Sequence, residues 1–312
     1  MNRNEVSWNL LKCDTAINRY PEANQKGLKE SLGLWLDINP DQLLITAGGD
    51  QLIELFLLNC LLKNKKRIGI MRPSFECFEL FAKKFQLEVI PFELDENFDI
   101  GQSSWLPLLA DIDALILCTP NNPTVNLLNP DRLLNIVNSF KGDLLIDQAY
   151  LEFTADYKKF DYQYLCRRRP KTLILRTFSK AFGLAGLRVG YGIASSDLIT
   201  QIGCLLGPYP VSSVSLDLAK KSLTNWQQIL TQMDLLKLKI KKWQNYINEF
   251  SPDLFTYPTE TNFLLLKTNN FNHPLLLDPE ISKRLRKFSG SFGERFARLT
   301  VDLNLKDPAW NN

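Results

Sequence analysis

Lys180 sits in the stretch RTFSKAFGLAGLRVGYG (Arg176–Gly192), just behind the hydroxyls of Thr177 and Ser179 and eight residues ahead of the guanidinium of Arg188. An amine placed near other cations can lose its proton and attack a carbonyl carbon. Other short stretches carry the groups that a bound anion or heterocycle would need. In AGGDQLIEL, two glycines precede Asp50 at the start of a helix-like segment, where free N–H groups and the positive end of the helix dipole attract an anion. In TPNNPT, Asn121 and Asn122 stand between prolines, either as a rigid turn or as amides that donate to a ligand oxygen. In DQAYLEF, Asp147 ends an apolar run, so its carboxylate needs a cationic or hydrogen-bonding partner. In RPSFECF, Phe75 and Phe78 supply ring faces at a site edge or simply helix core. The single histidine, His273, lies beside Pro274 in a polar loop, which removes histidine-based triads and zinc sites. Six cysteines with no CxxC pair read as reduced thiols, and no metal is expected.

Elements must hold these groups together. Short apolar runs at Leu43–Thr46, Arg67–Met71, Leu87–Phe92, Ala114–Cys118, Asp143–Asp147, Thr172–Arg176 and Arg188–Ala194 read as strands. Helical segments at Gln51–Leu62, Phe75–Phe85, Pro130–Phe140 and Asp197–Leu206 fall between them. Runs such as ALILC do not alternate with polar residues, as expected of strands covered on both faces. The pattern predicts an α/β layered domain with a mostly parallel sheet, whose ligand lies beyond the carboxyl ends of the strands. After GPYP, a hinge by virtue of its two prolines, Ser212–Phe250 reads as one long helical stretch, followed by strands at Thr261–Lys267 and Ala297–Leu303. A large domain over 24–208 is therefore expected, with a smaller α+β domain made from 1–23 and 209–312.

Composition narrows the function classes. The chain has 312 residues, more than a single small core needs, and a net charge of +3. Its basic runs, Lys63–Arg67 and Arg167–Lys171, read as solvated loop ends rather than a continuous basic face, so nucleic acid is not an expected partner. The N-terminal residues hold no apolar signal core and no run approaches bilayer-spanning length, so a cytoplasmic protein without a membrane partner is expected.

A phosphate cup, a ring platform, fixed amides, a buried acid, a tyrosine and a lysine at adjacent strand ends suit one ligand, pyridoxal 5'-phosphate. The chain also resembles the fold-type I, class I/II aminotransferases. The matching strings are NRNE (Asn2–Glu5), NRYPEA, GGDQLIEL, PNNPT, DQAYLEF, LRTFSKAFGLAGLRVGY, PYPVSS, TNF and ARLTV, in the family's order over nearly the whole chain. Within the family it is most similar to the histidinol-phosphate aminotransferases. That resemblance implies a Schiff base on Lys180, Asp147 against the ring nitrogen, and Asn122 and Tyr150 on the phenolic oxygen. It further implies Phe75 stacked on the ring, with the backbone of Gly49, Asp50 and Gln51, together with Thr177, Ser179 and Arg188, on the phosphate. Arg298 is implied to grip the substrate carboxylate and Arg286 the substrate's own phosphate. Tyr20 is implied to reach the site of the other subunit, hence a homodimer with shared active sites. The implied reaction is transamination between histidinol phosphate and 2-oxoglutarate in histidine biosynthesis. The alternatives are a threonine-phosphate decarboxylase, an aromatic amino-acid aminotransferase and a non-catalytic cofactor binder.

Three positions depart from the family pattern. Gln148 replaces an acid, Phe75 replaces a frequent tyrosine, and Val125 replaces a glycine, so a left-handed backbone at 125 would be costly and the loop is expected to differ. The chain is also expected to be short of most of the N-terminal arm and of a terminal helix.

Overall fold

The computed structural model describes residues 15–155, 157 and 161–308; the Asn2–Glu5 string and Cys13 lie outside them. Seven strands form one sheet: Leu43–Thr46 (β1), Arg67–Arg72 (β2), Glu88–Glu93 (β3), Ala114–Cys118 (β4), Asp143–Asp147 (β5), Thr172–Thr177 (β6) and Gly190–Ile193 (β7). Their order is β1-β7-β6-β5-β4-β2-β3. Neighbours from β3 to β6 run parallel, and only β7, between β6 and β1, is antiparallel to its neighbours. Every residue of β1, β4, β5, β6 and β7 is buried, which is why their sequences are apolar without alternation.

The connecting helices are Lys26–Leu36 (α1), Gly48–Leu62 (α2), Cys77–Lys84 (α3), Gln102–Leu108 (α4), Pro130–Ser139 (α5), Tyr162–Arg168 (α6) and Ser196–Gly203 (α7). Local chemistry sets several starts. The Asn129 side chain accepts from the N–H groups of Asp131 and Arg132, with Pro130 in the first turn, and Ser195 caps α7 through the N–H of Leu198.

The predicted single helix over Ser212–Phe250 is two, Ser213–Thr224 (α8) and Trp226–Phe250 (α9). Asn225 divides it: its backbone leaves the helical range at φ −97° and ψ 20°, while its N–H and its side-chain amide both donate to the Lys221 carbonyl, at 3.2 and 2.8 Å. Along α9, Ile229, Met233, Leu236, Ile240, Trp243 and Ile247 are buried at alternating spacings of four and three, one apolar stripe turned to the core. A second sheet, antiparallel throughout, comprises Phe255–Thr256 (β8), Phe263–Lys267 (β9), Leu285–Lys287 (β10) and Phe296–Thr300 (β11), in the order β10-β11-β9-β8. The strand expected at Ala297–Leu303 ends at Thr300, and β10 was not foreseen because three residues carrying two charges give no strand signal. No helix among the described residues is long and apolar enough to cross a membrane.

One ion pair lies within the first sheet's packing. Arg176 projects from β6 on the face opposite Leu175 and Thr177, and its Nη2 lies 2.6 Å from Glu152 Oε1, with side chains 1% and 0% exposed. Removing one partner of such a pair strands the other charge in a dry interior. Glu152→Gln is therefore expected to lower unfolding free energy by about 3–5 kcal/mol, read as a reduced urea midpoint. An unchanged midpoint would show that Arg176 is neutralised from elsewhere.

Candidate active site

The carboxyl ends of β4, β5 and β6 floor a cleft of about 160 Å³. Cys118, Asp147 and Leu175 are register partners across these three strands, so their side chains share a face, and all three line the cleft. Asp147 is 5% exposed and accepts the Ala149 N–H at 2.8 Å. Burial pushes its carboxyl up to about 6, while Lys180 pulls the other way. No described cation comes within ion-pair distance of it, so the site presents a buried acid prepared for a positively charged guest. Burial and the field of Asp147 also hold the Cys118 thiol well above its ordinary range.

Lys180 enters from the turn that follows β6. Ser179 N–H donates to Thr177 Oγ1 at 3.1 Å, Thr177 Oγ1 donates to the Val189 carbonyl at 3.3 Å, and Gly183 N–H closes on the Lys180 carbonyl at 3.0 Å. Phe178 and Phe182, both fully buried and 4.6 Å apart between ring centroids, anchor the turn from behind. The Lys180 ammonium lies 5.1 Å from the centroid of the Tyr150 ring, which meets Phe263 edge-on at 5.5 Å.

The anion cup forms where α2 meets β7. α2 begins at Gly48, three residues before the predicted start, so both glycines belong to its first turn. Gly48 has φ +82°, and a Cβ there would lie 2.6 Å from Arg188 Nη2. A Cβ on Gly190 would lie 2.5 Å from the Gly48 carbonyl carbon. The start of β7 therefore touches the helix terminus backbone to backbone, an approach only glycine permits. That contact brings Arg188, itself at φ +53°, over the free N–H groups, where its guanidinium meets Asp50 at 2.9 Å.

The two asparagines have separate tasks. Asn121 is fully buried and structural: it accepts from Ser74 Oγ at 2.8 Å and donates to the Pro73 carbonyl at 2.8 Å and to Thr124 Oγ1 at 2.7 Å, tying the Phe75 loop to its own. Asn122 faces the cleft. The loop keeps its left-handed residue despite the change from glycine, contrary to expectation: Val125 has φ +67° and is fully buried. A strained φ costs about 1–2 kcal/mol, and burying a valine side chain returns about 1.5–3 kcal/mol. The Val125 carbonyl also accepts the Glu260 N–H at 2.8 Å, linking the loop to the segment before β9.

Over the cleft stands the second sheet. Arg286 on β10 and Arg298 on β11 are register partners and so project from the same face. Arg298 is 7% exposed, donates to Asn122 Oδ1 at 3.3 Å, and packs 4.9 Å above the Phe263 ring. Its Nε is buried without a partner, no described carboxylate pairs with it, and burial lowers its pKa. Arg286 is instead paired with Glu76 at 2.6 Å.

The cleft thus gathers Gly49, Asp50, Phe75, Asn122, Asp147, Tyr150, Thr177, Ser179, Lys180 and Arg188. Gln51 lies in the same helical turn as the cup, but its side chain accepts the Ala47 N–H at 2.7 Å. Tyr20 does not reach its own chain's cleft; it is 81% exposed and stacks on Tyr209 at 4.8 Å. Sequence reasoning missed the lining residues Ile53, Cys118, Ala149 and Leu175, although strand parity relative to Asp147 could have found Cys118 and Leu175. It also missed Glu76.

A family model described as aminotransferase class I and II matches residues 9–272. The chain is 32% identical over 290 residues to the histidinol-phosphate aminotransferase of Pyrococcus furiosus, covering 91% of this chain and 79% of that protein. The crystal structure of histidinol-phosphate aminotransferase from Sinorhizobium meliloti in complex with pyridoxal-5'-phosphate superposes with a TM-score of 0.82 at 16% identity, over 93% of this chain and 80% of that one. L-threonine-O-3-phosphate decarboxylase from Porphyromonas gingivalis shares the fold at TM-score 0.77 and 23% identity, over 91% of this chain and 88% of that one. With a cleft of this composition at the carboxyl ends of a mostly parallel sheet, and a match across most of its length, the chain belongs to the class I and II aminotransferases.

Proposed function

We propose that the protein uses pyridoxal 5'-phosphate to transfer the amino group of histidinol phosphate to 2-oxoglutarate, a step of histidine biosynthesis. The observation that carries the cofactor assignment is the buried Asp147, raised to about 6 and without an ion pair among the described residues, opposite an amine and beside a helix terminus. The ring nitrogen of that cofactor would supply a cation there. When bound, the cofactor supplies an electrophilic carbon and an electron-accepting ring.

The chain's own residues do the rest. Lys180 Nζ would hold the cofactor's electrophilic carbon and would move the proton at the donor's carbon. Asp147 keeps the ring nitrogen charged. Asn122 and Tyr150 would hydrogen-bond the phenolic oxygen, and Phe75 would cover the ring. The first-turn N–H groups of α2, with Thr177, Ser179 and Arg188, hold the phosphate. Tyr20, exposed on its own chain, is inferred to serve the phosphate of a second copy, so the working form is a homodimer.

The substrate assignment rests on the two in-register guanidinia of Arg286 and Arg298. Histidinol phosphate carries a phosphate and no carboxylate, and two forks on one face suit a dianion with three acceptor oxygens. The carboxylate next to the acceptor's carbonyl needs only Arg298. Arg286→Ala is expected to reduce kcat/KM for histidinol phosphate by about 100-fold and to leave phenylalanine within a few-fold. Half-reactions followed by absorbance check this, and equal losses with both donors would remove the phosphate assignment. Carbon dioxide release from threonine phosphate would replace transamination with decarboxylation.

A further inference from the structure

The two guanidinia of the second sheet are not equally occupied. Arg298 is buried, has no described carboxylate, and keeps an unpartnered Nε. Arg286, directly opposite it in register, is half-exposed and held by Glu76 at 2.6 Å. Glu76 comes from the loop between β2 and α3, beside Phe75 of the cleft wall, so this ion pair crosses from one sheet to the other. The sequence distance between the partners is 210 residues. Glu76 also acts on Arg298 through space, in the sense opposite to Arg286.

From this arrangement we propose that Glu76 is a specificity-determining residue, the resident anion on Arg286 that a substrate phosphate must displace and that stays in place when the bound substrate engages Arg298 alone. The proposal rests on the substrate reading above. With a carboxylate on Arg298, the pair's two positive charges are matched by that carboxylate and Glu76. With a phosphate dianion spanning both arginines, they are matched by the phosphate alone, and Glu76 becomes a like charge at the ligand's edge. A monocarboxylate such as phenylalanine engages Arg298 alone and leaves Glu76 in place, whereas a phosphate, or the second carboxylate of 2-oxoglutarate, must displace it from Arg286. Because Glu76 and Arg286 are about half-exposed, with side chains 57% and 48% accessible, exchange is cheap. It still sets a threshold that a dianion crosses more readily than a neutral or singly charged group.

The test is Glu76→Gln, alone and with Arg286→Ala, in the cofactor-loaded enzyme. Glu76→Gln is expected to lower KM for histidinol phosphate by about fivefold at unchanged kcat. Inorganic phosphate should become a stronger competitive inhibitor by the same factor, and KM for phenylalanine should move by less than about twofold. In the Arg286→Ala background, the Glu76 substitution should be silent. If Arg286→Ala selectively impairs the phosphorylated donor while Glu76→Gln leaves its KM unchanged or raises it, the role of Glu76 is overturned and the substrate reading stands. If Arg286→Ala has no effect on histidinol phosphate, both are overturned. If the gain appears with threonine phosphate and not with histidinol phosphate, Glu76 keeps its role and the donor assignment fails.

Discussion

Lys180→Ala is expected to give a folded protein that shows no visible absorbance from covalently held pyridoxal phosphate and transfers amino groups slower by roughly 10⁴-fold, the upper end of what one acid–base group contributes. Folding should survive because the turn is held by backbone hydrogen bonds and by Phe178 and Phe182, none of which the amine supplies. The substitution also removes the cation that pulls the Asp147 carboxyl down, so that carboxyl should climb further in the mutant. Absorbance, circular dichroism and single-turnover rates check the three parts separately. A mutant that keeps both the band and the rate would remove Lys180 from the chemistry.

Asp147→Asn is expected to cost about 10²–10³-fold in rate, the scale of losing one preorganised electrostatic group, and at the same time to stabilise the cofactor-free protein. The sign follows from linkage. Burial lifts the carboxyl from 3.8 to about 6, so the folded chain holds its proton after the unfolded chain has released it. Below pH about 4 neither state is charged and the group costs nothing. Between about 4 and 6 stability falls as pH rises, and above that the loss is constant at roughly 3 kcal/mol at most. The amide has nearly the same shape, can still accept the Ala149 N–H, and carries no charge. Urea midpoints of the cofactor-free proteins should therefore coincide near pH 4 and separate by pH 7, with the mutant higher. Coincidence at pH 7 would mean that Asp147 already has a cationic partner in the free protein.

Much of this site was legible because strand ends write themselves into sequence. Ala114–Cys118 and Asp143–Asp147 are apolar runs flanked by polar or turn residues, and both strands match their predicted limits. β7 was drawn two residues too early because Arg188 looks like the first residue of a strand, whereas its backbone is left-handed. α2 was drawn too late because Gly48 and Gly49 have low helix propensity, and nothing local reveals that they touch Gly190. The break at Asn225 lies in one residue's backbone dihedrals, which the apolar spacing on either side does not record. Local sequence leaves Asn121 and Asn122 alike, and only the family resemblance singles out Asn122, since the difference lies in whether Ser74 and Pro73 face them. Glu76 was invisible for a simpler reason: an exposed glutamate has no periodicity, and its partner is on another sheet.

β7's antiparallel pairing with β6 sets the spacing of the reactive loop. Thr177 faces Gly190 across that pair, so Lys180 and Arg188 leave from one hairpin whose two stems are hydrogen-bonded to each other. The amine of Lys180 and the guanidinium of Arg188, to which the proposal assigns opposite ends of the cofactor, are thus spaced by a local ruler rather than by a long crossover. Slippage of that pairing by a single residue would turn Thr177 to the other face and carry Arg188 away from the helix terminus together. Drift elsewhere in the chain, by contrast, can leave this short span intact, which makes the hairpin the natural unit to transplant when building such a pocket on another sheet.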